Sequence, residues 1–459
     1  MNHPPHTLRI ASLAWPILIG QLAIIANGVI DTAMVSRFSA MDLAALALGV
    51  SIYISVFVGL SGVLQALLPI IGQLYGARRL PEIGAEVRQG LWLAGFLSVF
   101  GCLVLLFSPL ILSLAQAPPE LAEKATLYLR IEALALPATL AFRVYAALNN
   151  AIARPKMVMA IQIGALLLKI PLNAWFIFGG LGIPALGGPG CALATNVIAW
   201  LMLLSAWLLV RKAPLYHELC IFGHGLGRPQ WAAQSKLLAL GIPMGLSYFI
   251  EVTAFTLMAI FIARLGVVAV AGHQITANVG SVLYMLPLAL ANATGTLVAQ
   301  AIGAADWAGA KQVAHAGIGL SALLSVLVGI VVWFARGDII AAYTPDRLII
   351  ASALPLFLFI AFYQLFDSLQ VTTAFVLRAY QVAVIPTVIY ALALWGVGIG
   401  GGYLLGLDPF GWSPAWLHGA AGFWLSNSVS LGLVAICLLW YLRVIQRRAS
   451  AHQRTILAN

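Results

Sequence analysis

Charge is what this chain has least of. Asp, Glu, Lys and Arg together make up 8% of its 459 residues, against 62% hydrophobic. No polar stretch is long enough to form a soluble domain of useful size, so a water-soluble fold is excluded. Nucleotide-driven work by this chain alone goes with it. There is no Walker A sequence and no segment outside the apolar runs to hold a nucleotide. Histidine is badly placed for metal or nucleophile chemistry. His3, His6, His217, His224 and His452 fall in termini or loops without HExxH or related spacing. His273 and His315, near helix ends, supply no nucleophile–base pair at depth, so an enzyme is not expected. The four cysteines (Cys102, Cys191, Cys220, Cys437) show no metal-ligand spacing and read as packing residues. A cleavable leader is not expected either, because the first apolar stretch is too long and lacks a small-residue cleavage site.

What is present is a series of apolar runs, each near the ~20 residues that cross a bilayer as a helix. Twelve are expected: 11–36, 43–72, 89–113, 127–149, 157–179, 190–210, 237–262, 267–300, 314–335, 349–375, 381–405 and 418–442. The fold class is therefore an all-α polytopic membrane protein. Sixteen Lys and Arg fall in the loops on the side of the two termini and six on the other. That bias predicts both termini in the cytoplasm. The basic residues are spread over many short loops, so the net charge of +10 signals topology and not nucleic-acid binding.

The two halves repeat. An offset of 227 lays Pro16 on Pro243, Arg37 on Arg264, Gln73 on Gln300, Gly76 on Gly303 and Gly90 on Gly317 without a gap. A second offset of 224 lays Arg154 on Arg378. Each half has six helices, so the repeats are parallel, and substrate is expected between or within the two bundles. The expected organisation is an N-terminal lobe (1–210), a polar cytoplasmic linker (211–236), a C-terminal lobe (237–442) and a basic tail (443–459). A chain that carries its own repeat is expected to work as a monomer.

Three of the 14 acidic residues interrupt these runs: Asp31, Glu251 and Asp367. A charge at membrane depth costs on the order of 3 kcal/mol even on the mildest scale, and such groups commonly serve ions, protons or substrate. Glu251 is thirteen residues from Arg264, ~20 Å of helix, hence near the midplane. Asp367 is eleven residues from Arg378, read as a cytoplasmic loop cation. Asp31 lies higher, six residues from Arg37, with Asn27 one turn below. None of the three repeats: Asp31 falls on Met258, Glu251 on Ile24 and, at the second offset, Asp367 on Arg143. The lobes are expected to share a scaffold but divide the ion chemistry.

Glu251 and Asp367 lie in one half, so a shared cation site is expected if they face each other. A proton or Na⁺ would relieve their repulsion; the alternative is that each simply bonds a neighbouring helix. Lys169 sits near the midplane and needs either a carboxylate or water. Asp31 is read as the only deep acid in its half, so the carboxylate would be Asp31. Asn173 shares a face with Lys169, and with Thr195 can complete a polar pocket, although ordinary interhelical bonding explains such residues too. Tyr363, Gln370, Gln274 and Asn278 are ligands or packing residues in the other half. Aromatic side chains near the acids, Phe255 and Tyr284 among them, can stack on a flat organic cation.

In GVIDTAMVS around Asp31, SYFIEVTAF around Glu251 and YQLFDSLQVTTAFVLRAY around Asp367, the chain resembles the multidrug and toxic compound extrusion (MATE) transporters of the NorM-like branch. ARPKMVM and KIPLNAWFIFG extend the likeness, which covers essentially the whole chain. The resemblance implies two lobes of six helices around a central cleft. It implies antiport without a cofactor, Na⁺ or H⁺ entering as amphipathic, mostly cationic drugs, dyes or toxins leave. It also implies cation coupling at Glu251, Asp367 and Asp31, with Na⁺ held by Glu251 and Asp367, and a bacterial inner-membrane location. Lys169 departs from the pattern, which commonly has Asn there. Paired with Asp31 it would act as a tethered cation and shift coupling toward Glu251 and Asp367. The alternatives are a lipid-linked sugar flippase of the same superfamily, disfavoured because deep acids outnumber deep bases, and a multi-pass membrane enzyme.

Overall fold

A computed structural model describes residues 5–114, 118–180, 182, 184–222 and 225–458. His3, Leu181, Ile183 and His224 lie outside the described residues. Twelve helices are long and apolar enough to cross a membrane. They are α1 (His6–Ser36), α2 (Ala40–Gly76), α3 (Leu80–Leu106), α4 (Pro119–Ala151), α5 (Pro155–Phe178), α6 (Gly188–Lys212), α7 (Trp231–Ala263), α8 (Val267–Gly303), α9 (Trp307–Tyr343), α10 (Arg347–Ala379), α11 (Val384–Gly406) and α12, whose apolar part is Ala420–Ala449. In hydrocarbon only a helix satisfies its own backbone, so each apolar run folds this way. Prolines set several starts, where a missing N–H costs nothing: α3 to α6 each carry one in the first two positions. Two departures from regularity stand out. Residues Ala391–Gly400 of α11 are π-helical, and α12 runs on to Ala458, so the basic tail continues the helix.

The repeat is written into the backbone. Arg78 and Ala305, 227 apart, both have φ of 58°, and Ala153 and Gln381, 228 apart, have 58° and 59°. Each caps its helix in the same way. The next amide reaches back five residues: Arg79 to Leu74, Arg154 to Asn149, Asp306 to Ala301 and Val382 to Leu377. These caps correct the second offset. At 228, not 224, Arg378 falls on Asn150 and Asp367 on Thr139. The apparent Arg154–Arg378 match aligned a residue beyond one helix with one inside the other.

The chain divides into two compact units. The N-unit is Ile19–Gly245. The C-unit joins the start of α1, up to Leu18, to Leu246 and everything after it. The two crossing points, in α1 and α7, are again 227 apart, each two residues after the proline (Pro16, Pro243) inside its helix. The C-unit core is one continuous cluster that takes in Ile10, Ala14 and Ile17 of α1 together with Phe357, Ile360, Phe423 and Trp424. Within the N-unit, small residues such as Ala135, Ala138 and Ala199 let α4 and α6 approach.

The segment between α6 and α7 is more than a polar joint, because the N-unit holds it. Arg88 donates to the carbonyls of Cys220 and Ile221 at 2.8 and 3.0 Å. Gln89 donates to the Arg228 carbonyl at 3.1 Å and Trp92 to that of Gly227 at 3.2 Å. The Tyr216 hydroxyl donates to Asn149 at 2.7 Å. Gly84 makes the fit possible: a Cβ there would lie 2.1 Å from the Leu219 carbonyl oxygen. Gly84→Val is therefore expected to cost about 1–3 kcal/mol and to speed hydrogen exchange across 213–222. Unchanged exchange in that segment would mean that it is not docked through α3.

Candidate functional site

Glu251 of α7 and Asp367 of α10 meet in the C-unit through a third residue. Gln370, three residues after Asp367 and on the same helix face, donates from Nε2 to both carboxylates. The distances are 2.9 Å to Asp367 Oδ1 and 3.1 Å to Glu251 Oε1. Its Oε1 accepts from the Tyr390 hydroxyl of α11. Asp367 is 3% exposed, and its Oδ2 has no hydrogen-bond partner. Glu251 remains partly exposed. One neutral amide thus joins two acids and leaves one oxygen open.

The positive charge of this region is Arg378, which sequence reasoning assigned to a loop. It is 7% exposed. It donates to the Tyr248 hydroxyl at 2.8 Å and lies 4.8 Å from the ring centroids of both Tyr248 and Phe375. Two aromatic faces are what allow a guanidinium to be buried there, and its charge acts on Glu251 at longer range. Tyr363 joins an edge-to-face trio with Phe255 and Trp424 at 5.8–6.4 Å. Gln274 and Asn278 make no hydrogen bond to the acids among those the structure describes. They bond each other at 3.2 Å on an exposed face of α8.

In the N-unit, Asp31 of α1 receives two donors from α5. Lys169 Nζ lies 2.9 Å from its Oδ1, and Asn173 donates to the same oxygen at 2.7 Å. Lys169 also donates to Thr195 of α6 at 2.6 Å. Its side chain is 2% exposed, that of Asp31 15%. Asn27 does not join this cluster; its Oδ1 is buried without a partner. Nor is Asp31 the only deep acid of its half. Glu132 is buried in α4, and the charges of Lys169 and Asp31 both act on it. It escaped the sequence reading because the apolar run was begun at 127, which put Glu132 near a helix end. The helix in fact starts eight residues earlier, at Pro119. Among the described residues no three His, Cys, Asp or Glu side chains group so as to hold a metal ion.

Twelve membrane helices in two parallel repeats, with acids at depth in both, are the architecture of a secondary transporter. The chain belongs to the MatE family, matched over residues 16–175 and 243–404, one segment in each repeat. A probable multidrug resistance protein NorM of Aromatoleum aromaticum is 39% identical over 442 residues, 96% of this chain and 94% of that protein. One from Chromobacterium violaceum is 34% identical over 98% of this chain and 96% of its own length. The fold superimposes with a TM-score of 0.87 on an outward-facing multidrug resistance MATE transporter at 17% identity, covering 98% and 97% of the two chains. The protein is thus a multi-pass membrane transporter and not an enzyme.

Two predictions follow from the site's geometry. Removing one partner of a buried pair strands the other charge, at about 3–5 kcal/mol. Lys169→Ala and Asp31→Asn should therefore each lower thermal stability, and the double variant should lose less than their sum; simple additivity would mean that the two do not interact. Gln370→Leu removes the donor shared by both acids and the acceptor of Tyr390. It is expected to cost at least about 1–3 kcal/mol, read as a lower unfolding temperature in detergent.

Proposed function

We propose that this chain is a secondary antiporter that exports amphipathic, mostly cationic drugs, dyes and toxins in exchange for inward-moving H⁺ or Na⁺. It does so as a monomer in the bacterial inner membrane, with both termini cytoplasmic. The working lobes are 1–210 and 237–442, joined by 211–236 and followed by the 443–459 tail. The multidrug resistance for which the NorM relatives are named supports the cargo class.

The observation that carries the reading is the Gln370 bridge with its open Asp367 oxygen. Glu251 and Asp367 are the coupling acids. A proton or Na⁺ arriving at Asp367 Oδ2 neutralises one carboxylate and removes the reason for Gln370 to span both. The amide is then free to turn, and Tyr390 of α11, bonded to its oxygen, turns with it. A cargo cation competes for the same negative charge, held against the Phe255, Tyr363 and Trp424 rings. Ion and cargo thereby favour different states, which is the condition for exchange. Asp31 serves the other lobe, with Lys169, Asn173 and Thr195 as its supporting cluster.

The test is efflux of a fluorescent organic cation from proteoliposomes, with a Na⁺ gradient and a pH gradient imposed separately. One of the two is expected to drive export in the wild-type protein. Glu251→Gln and Asp367→Asn should each abolish that drive while the protein remains folded. Full ion-driven efflux in either variant would sink the assignment.

A further inference from the structure

Glu132 has no part in the pair of sites just described. It lies thirteen residues into α4, ~20 Å from the helix start, and is 1% exposed. Neither carboxylate oxygen is met by a cation or a backbone amide; the Tyr128 hydroxyl, one turn earlier, is the single side chain that approaches as a donor. A buried carboxylate that is merely structural looks different. Asp42, in the same unit, is met by Lys124 at 2.9 Å and by the Gly188 amide at 3.1 Å.

The charged and titratable groups around Glu132 come from every helix packed on α4. They are Lys169 of α5, Asp31 of α1, Tyr53 of α2 and Cys191 of α6. Cys102 of α3 donates to the carbonyl of Ala133, and Arg143, further along α4, lies over the Phe57 ring. Lys169 is the cation that acts on Glu132, and it is already in contact with Asp31 and Thr195. One ammonium cannot neutralise two carboxylates. As a bare anion Glu132 would carry the cost of an unpaired charge at depth; one proton removes it.

We infer that Glu132 is a proton-binding group of the N-unit, and that Lys169 is the internal cation that decides which of the two acids holds the proton. The cluster carries one ammonium and one proton against two carboxylates and is neutral. With Lys169 on Asp31, the proton is on Glu132. When Lys169 moves to Glu132, that acid gives up its proton and Asp31 takes one up, so the count is unchanged. Asp31, the more exposed of the two, is where the proton exchanges with water. The use of this proton in export rests on the antiport reading; its binding does not.

The experiment is a pH titration of the purified full chain, followed through the carboxylic-acid carbonyl band in infrared difference spectra. Glu251→Gln with Asp367→Asn serves as background, to silence the C-unit acids. A titrating band is expected that shifts on ¹³C-glutamate labelling and disappears in Glu132→Gln. Labelling marks every glutamate, so Glu132→Asp, which keeps a carboxyl at this place, answers if Glu132→Gln fails to fold: the band should then shift with labelled aspartate and no longer with labelled glutamate. Lys169→Met, which removes the cluster's ammonium, should raise the protons held there from one to two. With Glu132 in place, a band that never titrates, or one that shifts only with labelled aspartate, overturns the proposal, and an unchanged band in Lys169→Met overturns the part given to Lys169. Failure of both gradients to drive export would sink the antiport reading alone, since the infrared result needs no transport.

Discussion

An ionisable side chain surrounded by hydrocarbon has three ways to exist: bonded to a group of opposite charge, neutralised by a proton, or turned toward whatever polar species passes. Backbone groups face the same demand and meet it by forming helices, which leaves the side chains as the variable. Most of this molecule is determined by that demand. The helices are nearly continuous, the loops between them are short, and the few charges at depth each have a solution that can be named.

The two units solve the problem differently although their backbones repeat. In the C-unit the two acids share a neutral amide, and Arg378 stays at a distance between aromatic faces. Such a site has no fixed cation in contact with either carboxylate. In the N-unit the ammonium of Lys169 sits directly on Asp31, so a permanent cation occupies the place that a mobile one would take. A scaffold that repeats while its polar residues do not is able to hold two unlike sites.

Much of the fold was legible because it follows from length and hydropathy. All twelve helices were found, with ends shifted by up to nine residues apart from α12, which runs sixteen residues past 442, and the first offset was right because it rested on polar and glycine matches. The second slipped because apolar helices align almost equally well at neighbouring registers; the left-handed residues Ala153 and Gln381 fix it, and neither type announces that conformation. Asp31, Glu251, Asp367 and Lys169 were visible as polar residues in apolar surroundings. Glu132 was not, since α4 is the least apolar of the twelve helices and its acidic and basic first turns blurred where the membrane-length stretch begins. Gln370, Tyr390 and Tyr248 depend on which helices meet, and that is tertiary information. Gln274 and Asn278 had the right chemistry, but their hydrogen bond is to each other.

The crossing of α1 from one unit to the other bears on how the molecule is assembled during its synthesis. Ile10, Ala14 and Ile17 are made before the rest of the core cluster they belong to, which includes Ile250, Phe357 and Trp424. At typical translation speeds the earliest of these follows only after roughly 12 to 50 seconds. Through that interval the opening turns of α1 are without the core they join, and the N-unit can close around Ile19 onward without them. Residues at the start of α1 are therefore made well before the core they join, and the C-unit completes that core with a segment that precedes the N-unit in sequence.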